Sequence, residues 1–305
     1  MMKKNVLITG GTGFIGKQLT SLLLKNDFSV SILSRTQRQN SNEINYYKWD
    51  VSKKYIDEEA LLNADYIINL AGENIAEKRW TTNRKNEIID SRVQSIQLIY
   101  DVLKKNNKSL EAFISASGIG IYGAINGKEI CKEDTTPEND FLGSTCQKWE
   151  TATDIFSSLN IRTVKIRTGL VLGKNDGFLK KISPLFKLGI GSALGSGKQY
   201  MPWIHIDDLC AIYLESIINK NIIGSYNAAI NDNTNNTLFS KSLAKVYGFS
   251  IWLPNIPSFL IKLILGEMSL IVLTGRRVSS EKIEKLGFQF QFKNLQNALE
   301  NCLKE

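Results

Sequence analysis

The chain has 305 residues, 43% of them hydrophobic and 22% charged, proportions of a folded globular protein that exclude disordered and fibrous classes. Lysine and arginine number 38 against 30 acidic residues, a net charge of +8. The basic residues come in ones and twos, with no run and no interleaved aromatic stripe, so nucleic acid is not an expected partner.

A single histidine, His205, excludes a His-rich zinc site, and no metal is expected. The four cysteines form no Cys-x-x-Cys pair and suit a reducing compartment better than a disulfide framework. Lys3-Lys4 runs straight into a short strand and a glycine turn, without the apolar region and cleavage site of a signal peptide. The most apolar stretch, Ile251 to Leu273, is broken by Pro254, Pro257, Lys262 and Glu267, so no membrane contact is expected and the location read is cytoplasmic.

In chain order, Asn5 to Thr9 reads as a buried strand, and Phe14 to Lys25 as a helix with Ile15, Leu19, Leu22 and Leu23 at helical spacing. Ser29 to Leu33 and Ile44 to Trp49 read as the second and third strands, and Asp65 to Ala71 as the fourth. A long helix is predicted from about Asn83 to Lys105, then a fifth strand at Ala112 to Ser115. A further helix (Cys146 to Leu159) leads to a sixth strand (Ile161 to Arg167). Short β-branched runs alternating with helices signal an α/β class, a Rossmann-like doubly wound parallel sheet. From Gly169 the rhythm weakens and glycines crowd as far as Gly197. The expected division is a dinucleotide-binding domain over 1–170 and, over 171–305, a substrate-side segment with a small C-terminal domain, interleaved with the last sheet elements.

The segment Gly10-Gly11-Thr12-Gly13-Phe14-Ile15-Gly16 lies between the first strand and the first helix. Gly10 suits the tight turn, Gly13 the approach of a pyrophosphate to the backbone, and Gly16 close packing of helix on strand. Amides at the helix start would meet the anion. The strand–turn–helix context marks this as a dinucleotide site, and no Gly-Lys-Ser/Thr ends it as a Walker loop would. The second strand ends Ser34-Arg35, where an NAD site would carry a carboxylate. A guanidinium there suits a 2′-phosphate, so NADP(H) is the preferred cofactor and NAD(H) the alternative.

With these residues read, the chain resembles the extended short-chain dehydrogenases/reductases, and within them the NAD(P)-binding "epimerase family protein" group, a nucleoside-diphosphate-sugar epimerase-like group. The match is carried by Asn69-Leu70-Ala71-Gly72-Glu73-Asn74-Ile75, Arg79-Trp80, Ser91-Arg92, Arg167 to Gly173, Gly195-Ser196-Gly197, Pro202 to Leu209, Gly275-Arg276-Arg277-Val278 and Gly287-Phe288. The resemblance implies that Leu70, Ala71 and Gly72 border the cofactor and that Glu87, Arg92 and Val171 line the same site. For Glu87 and Arg92 an exposed ion pair on a long helix is the alternative. It further implies an oxidoreductase or epimerase acting on a small hydroxyl or carbonyl compound, sugar nucleotides among them. The oligomeric state is not legible.

Active members of the superfamily use Ser/Thr with Tyr-x-x-x-Lys, the lysine lowering the tyrosine pKa for proton exchange. Here Leu142 and Cys146 stand at the Tyr and Lys positions and Gly118 at the Ser position, with Ser117 beside it. Tyr100-Lys104 has the spacing but precedes the fifth strand. Tyr122 and Ser117 are therefore the catalytic candidates, and a dinucleotide-binding protein without turnover is the alternative. Met201 replaces the arginine that would hold a sugar-nucleotide diphosphate, and Trp80, Trp203 and Tyr200 suit either an aromatic pocket or the core.

Overall fold

Residues that alternate between two apolar faces build the first half. Val6 and Ile8 point to one side of the first strand and Leu7 to the other, and all three are fully buried. The computed structural model describes residues 3–304 apart from Asn42 and Asn175, so the outer limits of the two expected domains lie outside the described residues.

The order is β1 (Asn5–Thr9), α1 (Phe14–Lys25), β2 (Ser29–Ser34), β3 (Ile44–Asp50), β4 (Tyr55–Ile56), α2 (Glu58–Leu62), β5 (Tyr66–Asn69), α3 (Thr82–Lys105), β6 (Ala112–Gly118), β7 (Asn126–Cys131), α4 (Phe141–Asp154), β8 (Thr163–Thr168) and β9 (Leu170–Leu172). There follow α5 (Gly177–Lys187), β10 (Trp203–His205), α6 (Ile206–Ile218), β11 (Gly224–Ala228), α7 (Asn236–Val246), α8 (Ser258–Leu265), α9 (Leu270–Leu273), β12 (Gly275–Val278), α10 (Glu281–Glu284) and α11 (Leu295–Leu303).

Among the described residues, eight strands form one sheet in the order β11-β8-β6-β5-β1-β2-β3-β4. Every pairing in it is parallel except β3 with β4. The protein is thus a Rossmann-like α/β fold. Strand order reverses between β1 and β5, and a crevice at the carboxyl ends of strands is where such sheets receive ligands. One face packs on α1 and α6 through Leu19, Leu23, Leu209 and Ile212; the other packs on α3 through Ile96, Ile99 and Leu103.

Several boundaries differ from the sequence reading for local reasons. Helix α4 starts five residues before Cys146 because Asp140 caps it, accepting from Gly143 N at 2.8 Å. The predicted tail of that helix, Ile155–Leu159, is a 3₁₀ turn ending on Asn160 in the left-handed region. The edge strand β11 (Gly-Ser-Tyr-Asn-Ala) lacks a β-branched run and escaped prediction, yet it registers along β8 with Tyr226 opposite Ile166.

The β1–α1 bend is the tightest place in this frame. Gly10 has φ of +68°, a left-handed conformation that favours glycine. A Cβ on Gly16 would fall against the Gly10 carbonyl and 2.5 Å from Gly11 Cα, both backbone groups that cannot yield. We expect Gly16→Ala to destabilise the protein by about 1–3 kcal/mol, read as a lower unfolding midpoint in denaturant; an unchanged midpoint would contradict the close packing.

Candidate functional site

The crevice is built from the ends of β1, β2, β5 and β6. Leu70 N bonds Thr9 O at 3.1 Å, and Gly10 lies so close to this segment that a Cβ there would be 3.0 Å from the Leu70 carbonyl carbon. Thr9 Oγ1 donates to Asn69 Oδ1 at 2.7 Å and accepts from Ala71 N at 3.1 Å, and Asn69 Nδ2 donates to Ser115 Oγ at 3.4 Å. These buried side chains tie β1, β5 and β6 to one another. Sequence reading missed them, and the polar residue following each apolar run was the available signal.

Helix α1 begins at Gly13 with no side-chain cap and no acidic residue in its first turn. Its first amides therefore remain available to an anion. Gly13 is exposed, Thr12 and Ile15 are half-buried, and Gly16 is buried against the bend. The Phe14 ring packs against Gly173 and Gly177, where a Cβ would meet it at 2.6 Å and 3.2 Å. Val171, in β9, pairs with Ile204 of β10 and packs on the core beside this junction.

Around the rim, Ser34 is buried and lies 3.4 Å from the Thr36 hydroxyl, whereas the Arg35 side chain is 81% exposed. Arg35 Nη1 is 3.5 Å from Glu73 Oε1, a long surface pair that leaves most of the guanidinium free. Glu73 is held by Ser91 Oγ at its amide and by buried Arg84 at its carboxylate. Arg84 also donates to Asn74 O and Glu87, and so anchors the whole Gly72–Glu77 loop. Glu87 is accordingly an exposed partner of Arg84, on the rim. Arg92 is different. It lies flat on Trp149, 4.7 Å from the ring centroid, beside Gly72, and donates to Ile88 O. Burial holds its pKa below the ordinary arginine value.

The two catalytic candidates lie in one buried network. Ser117 Oγ donates to Glu150 Oε1 at 2.8 Å. Arg167 grips Glu150 with two bonds of 2.8 and 2.9 Å and donates to the Tyr122 hydroxyl at 3.0 Å. Tyr122 donates in turn to Asn227 Oδ1 at 2.7 Å, and Asn227 Nδ2 reaches Ser279 O. Tyr122 is 1% exposed, and burial pushes its pKa up to about 12 despite the nearby guanidinium. Beneath Gly118 and Gly120, Cys146 Sγ would lie 3.7 and 3.6 Å from an added Cβ, and burial raises this thiol to about 12. Leu142 packs beside it, 3.4 Å from a Cβ built on Gly120.

Other candidates settle elsewhere. Tyr100 and Lys104 lie on α3, where Tyr100 meets Phe156 and Ser158. Trp203 is fully buried and Trp80 nearly so; both belong to the core. Arg276 is paired with Glu129 and Glu138, and Arg277 stacks over Tyr200. His205 precedes α6 and accepts from Asp207 N at its Nδ1. Asp208, in the first turn of α6, ties down the C-terminal segment by accepting from Gln291 N and Phe292 N. Among the described residues no cluster of three metal-ligating side chains occurs.

This crevice is that of a nicotinamide-dinucleotide Rossmann protein, and comparison narrows the class. A model of the NAD dependent epimerase/dehydratase family matches residues 6–229, and the chain belongs to that family. A domain of unknown function, DUF1731, matches residues 256–302. An epimerase family protein of Staphylococcus aureus is 36% identical over 305 residues, covering 99% of this chain and all of that one. Epimerase family protein YfhF of Bacillus subtilis is 33% identical over 302 residues, covering 99% and 98%. The crystal structure of human epimerase family protein SDR39U1 (isoform 2) with NADPH superimposes with a TM-score of 0.87 at 28% identity, covering 99% of each chain. A UDP-glucuronic acid 4-epimerase from Bacillus cereus, in complex with UDP-glucuronic acid and NAD, shares the fold with a TM-score of 0.81 at 19% identity, covering 98% of this chain and 97% of that one.

The Glu150–Arg167 pair gives this region a pH dependence. Burial alone would raise the Glu150 pKa, but the Arg167 hydrogen bonds and charge outweigh it and hold the carboxyl below its unfolded value of 4.5. Its contribution to stability is therefore complete above that value and is lost as pH falls through the lower folded value. Glu150→Gln should cost about 3–5 kcal/mol at neutral pH, with a smaller loss on acidification than the parent shows. Parallel acid-unfolding curves for the two proteins would contradict this.

Proposed function

We infer that the chain binds NADP(H) in preference to NAD(H) and works as an oxidoreductase or epimerase-like enzyme on a small hydroxyl or carbonyl compound. The observation that carries this is the β1–α1 bend at the switch point, where the backbone packs so closely that a Cβ on Gly10 or Gly16 would meet backbone atoms and where α1 starts without a side-chain cap. The donor set suits the dinucleotide. Uncapped α1 amides offer hydrogen bonds to paired phosphates, Arg35 stands free at the end of β2, and the SDR39U1 structure that shares this fold contains NADPH.

Bound there, the nicotinamide supplies hydride transfer. This chain's residues bind and orient. Gly10 to Gly16 take the pyrophosphate, Ser34 and Arg35 the ribose phosphate, Leu70 to Gly72 the crevice wall, and Arg92 adds a cation on the facing helix. Phe14, Ile15 and Val171 close the apolar side. Ser117 and Tyr122 hold the site. A proton exchanged at Tyr122 would first have to leave its bond to Asn227, with the Arg167 bond also in place. The same commitment of hydroxyls favours the second reading, a dinucleotide-binding protein without turnover. Oxidation of NADPH by any member of a broad carbonyl and sugar-nucleotide panel would separate the two.

Calorimetry tests the cofactor assignment. Arg35→Ala should weaken NADPH binding about 10- to 100-fold and leave NADH unchanged, the worth of a charge-assisted contact. Equal affinities of the parent for the two cofactors would remove the assignment. If a substrate turns over, Tyr122→Phe should keep kcat within about threefold, against the ~100-fold or greater loss expected of a general acid. A loss of that size would return Tyr122 to the chemistry.

A further inference from the structure

The net charge and one apolar surface trace to the same two stretches of the chain. No Asp or Glu occurs between Asp176 and Asp207, nor between Asp232 and Glu267, and these two stretches carry seven lysines. The rest of the chain, with 31 basic against 30 acidic residues, is close to neutral. Among the described residues, the same two stretches supply the most exposed of the large apolar side chains. Leu263 and Trp252 are each 72% exposed, Leu188 70%, Ile264 68% and Phe259 66%. Soluble surfaces rarely gather such groups without a partner.

The groups belong to one region. Trp252 Nε1 donates to Gly189 O at 2.9 Å, which directs the indole outward beside Leu188. Leu194 pairs with Ile256, and a Cβ on Gly195 would lie 3.8 Å from Ser258 Cβ at the start of α8. The loop after α5 therefore runs alongside the segment that leads into α8. Phe259 and Leu263, four residues apart, share one face of α8, with Ile264 and exposed Lys262 next to it. The inner side of α8 is fixed. Ile261 is buried, Leu265 packs in the Trp80 cluster, and Arg79 bonds the Leu263 and Ile264 carbonyls.

We propose that this face docks on an anionic lipid bilayer surface. A tryptophan, two or more long aliphatic side chains and adjoining lysines such as Lys187 and Lys262 are the pattern of an interfacial anchor. A second copy of the chain fits less well, because a two-fold contact centred on this face would bring Lys187 and Lys262 of both copies together, and neither stretch carries an acid. No helix among the described residues is long and apolar enough to cross a membrane, so the contact is peripheral. The sequence expectation of no membrane contact rested on spanning segments alone. Arg79 and the Lys181 bond to Ala76 O tie this face to the loop beside the crevice, so docking would set the crevice mouth near the bilayer.

Flotation of the full chain tests this with vesicles of phosphatidylcholine alone and of phosphatidylcholine mixed with phosphatidylglycerol. Binding is expected to the mixed vesicles only and to weaken with salt. Trp252 emission should shift to the blue on binding, and Trp252→Phe should abolish that shift. Leu263→Asp should lower binding about tenfold or more, and Lys262→Glu about fivefold, with unfolding midpoints close to the parent's. No flotation with the mixed vesicles, or flotation that Leu263→Asp leaves intact, would overturn the proposal. So would a concentration-dependent dimer in sedimentation that Leu263→Asp abolishes, because the face would then belong to a second copy. None of these readouts depends on cofactor binding.

Discussion

The backbone of residue 16 lies so near that of residues 10 and 11 that no side chain fits between them. This close approach lets α1 start directly above β1, and it points the uncapped amides at the place where the sheet changes direction. The positions of Leu70 and Ala71 follow from it, because Gly10 touches that segment and Thr9 bonds to it. Arg35 is placed by the parallel register of β1 with β2, which sets Thr9 opposite Leu33. One steric constraint thus positions the crevice floor and its wall, and strand register positions the basic rim.

A second organising element lies at the other end of the crevice. The Glu150–Arg167 pair, with Ser117, Tyr122 and Asn227, joins β6, β8, β11 and α4, and through Ser279 it reaches the segment after β12. Leu142 and Cys146 pack beside Gly118 and Gly120 next to this network, and the Ser117 and Tyr122 hydroxyls bond within it. The network makes this end of the crevice rigid, at the cost of a buried charge pair that must remain intact.

Much of this was legible beforehand for a physical reason. Buried parallel strands read as β-branched runs, and a backbone cradle requires glycine, so β1, β2, β5, β6 and the bend stand out in the sequence. The role of Arg84 did not, because an arginine on a polar helix looks like any other until the loop it anchors is seen to fold back over it. Nor did the fate of Tyr122. Its partners Arg167 and Asn227 are 45 and 105 residues away, and only strand order brings them together. The apolar face around α8 was hidden likewise, since Leu188, Trp252 and Phe259 come together only when the loop after α5 runs beside the segment before α8.

Hydrogen exchange at the bend reads the central claim most directly. On addition of NADPH, the amides of Gly11 to Gly16 should exchange more slowly, with protection spreading to Arg35 and to Leu70–Gly72. Exchange at those amides that stays unchanged at saturating NADPH, or protection confined to another part of the fold, would contradict the account.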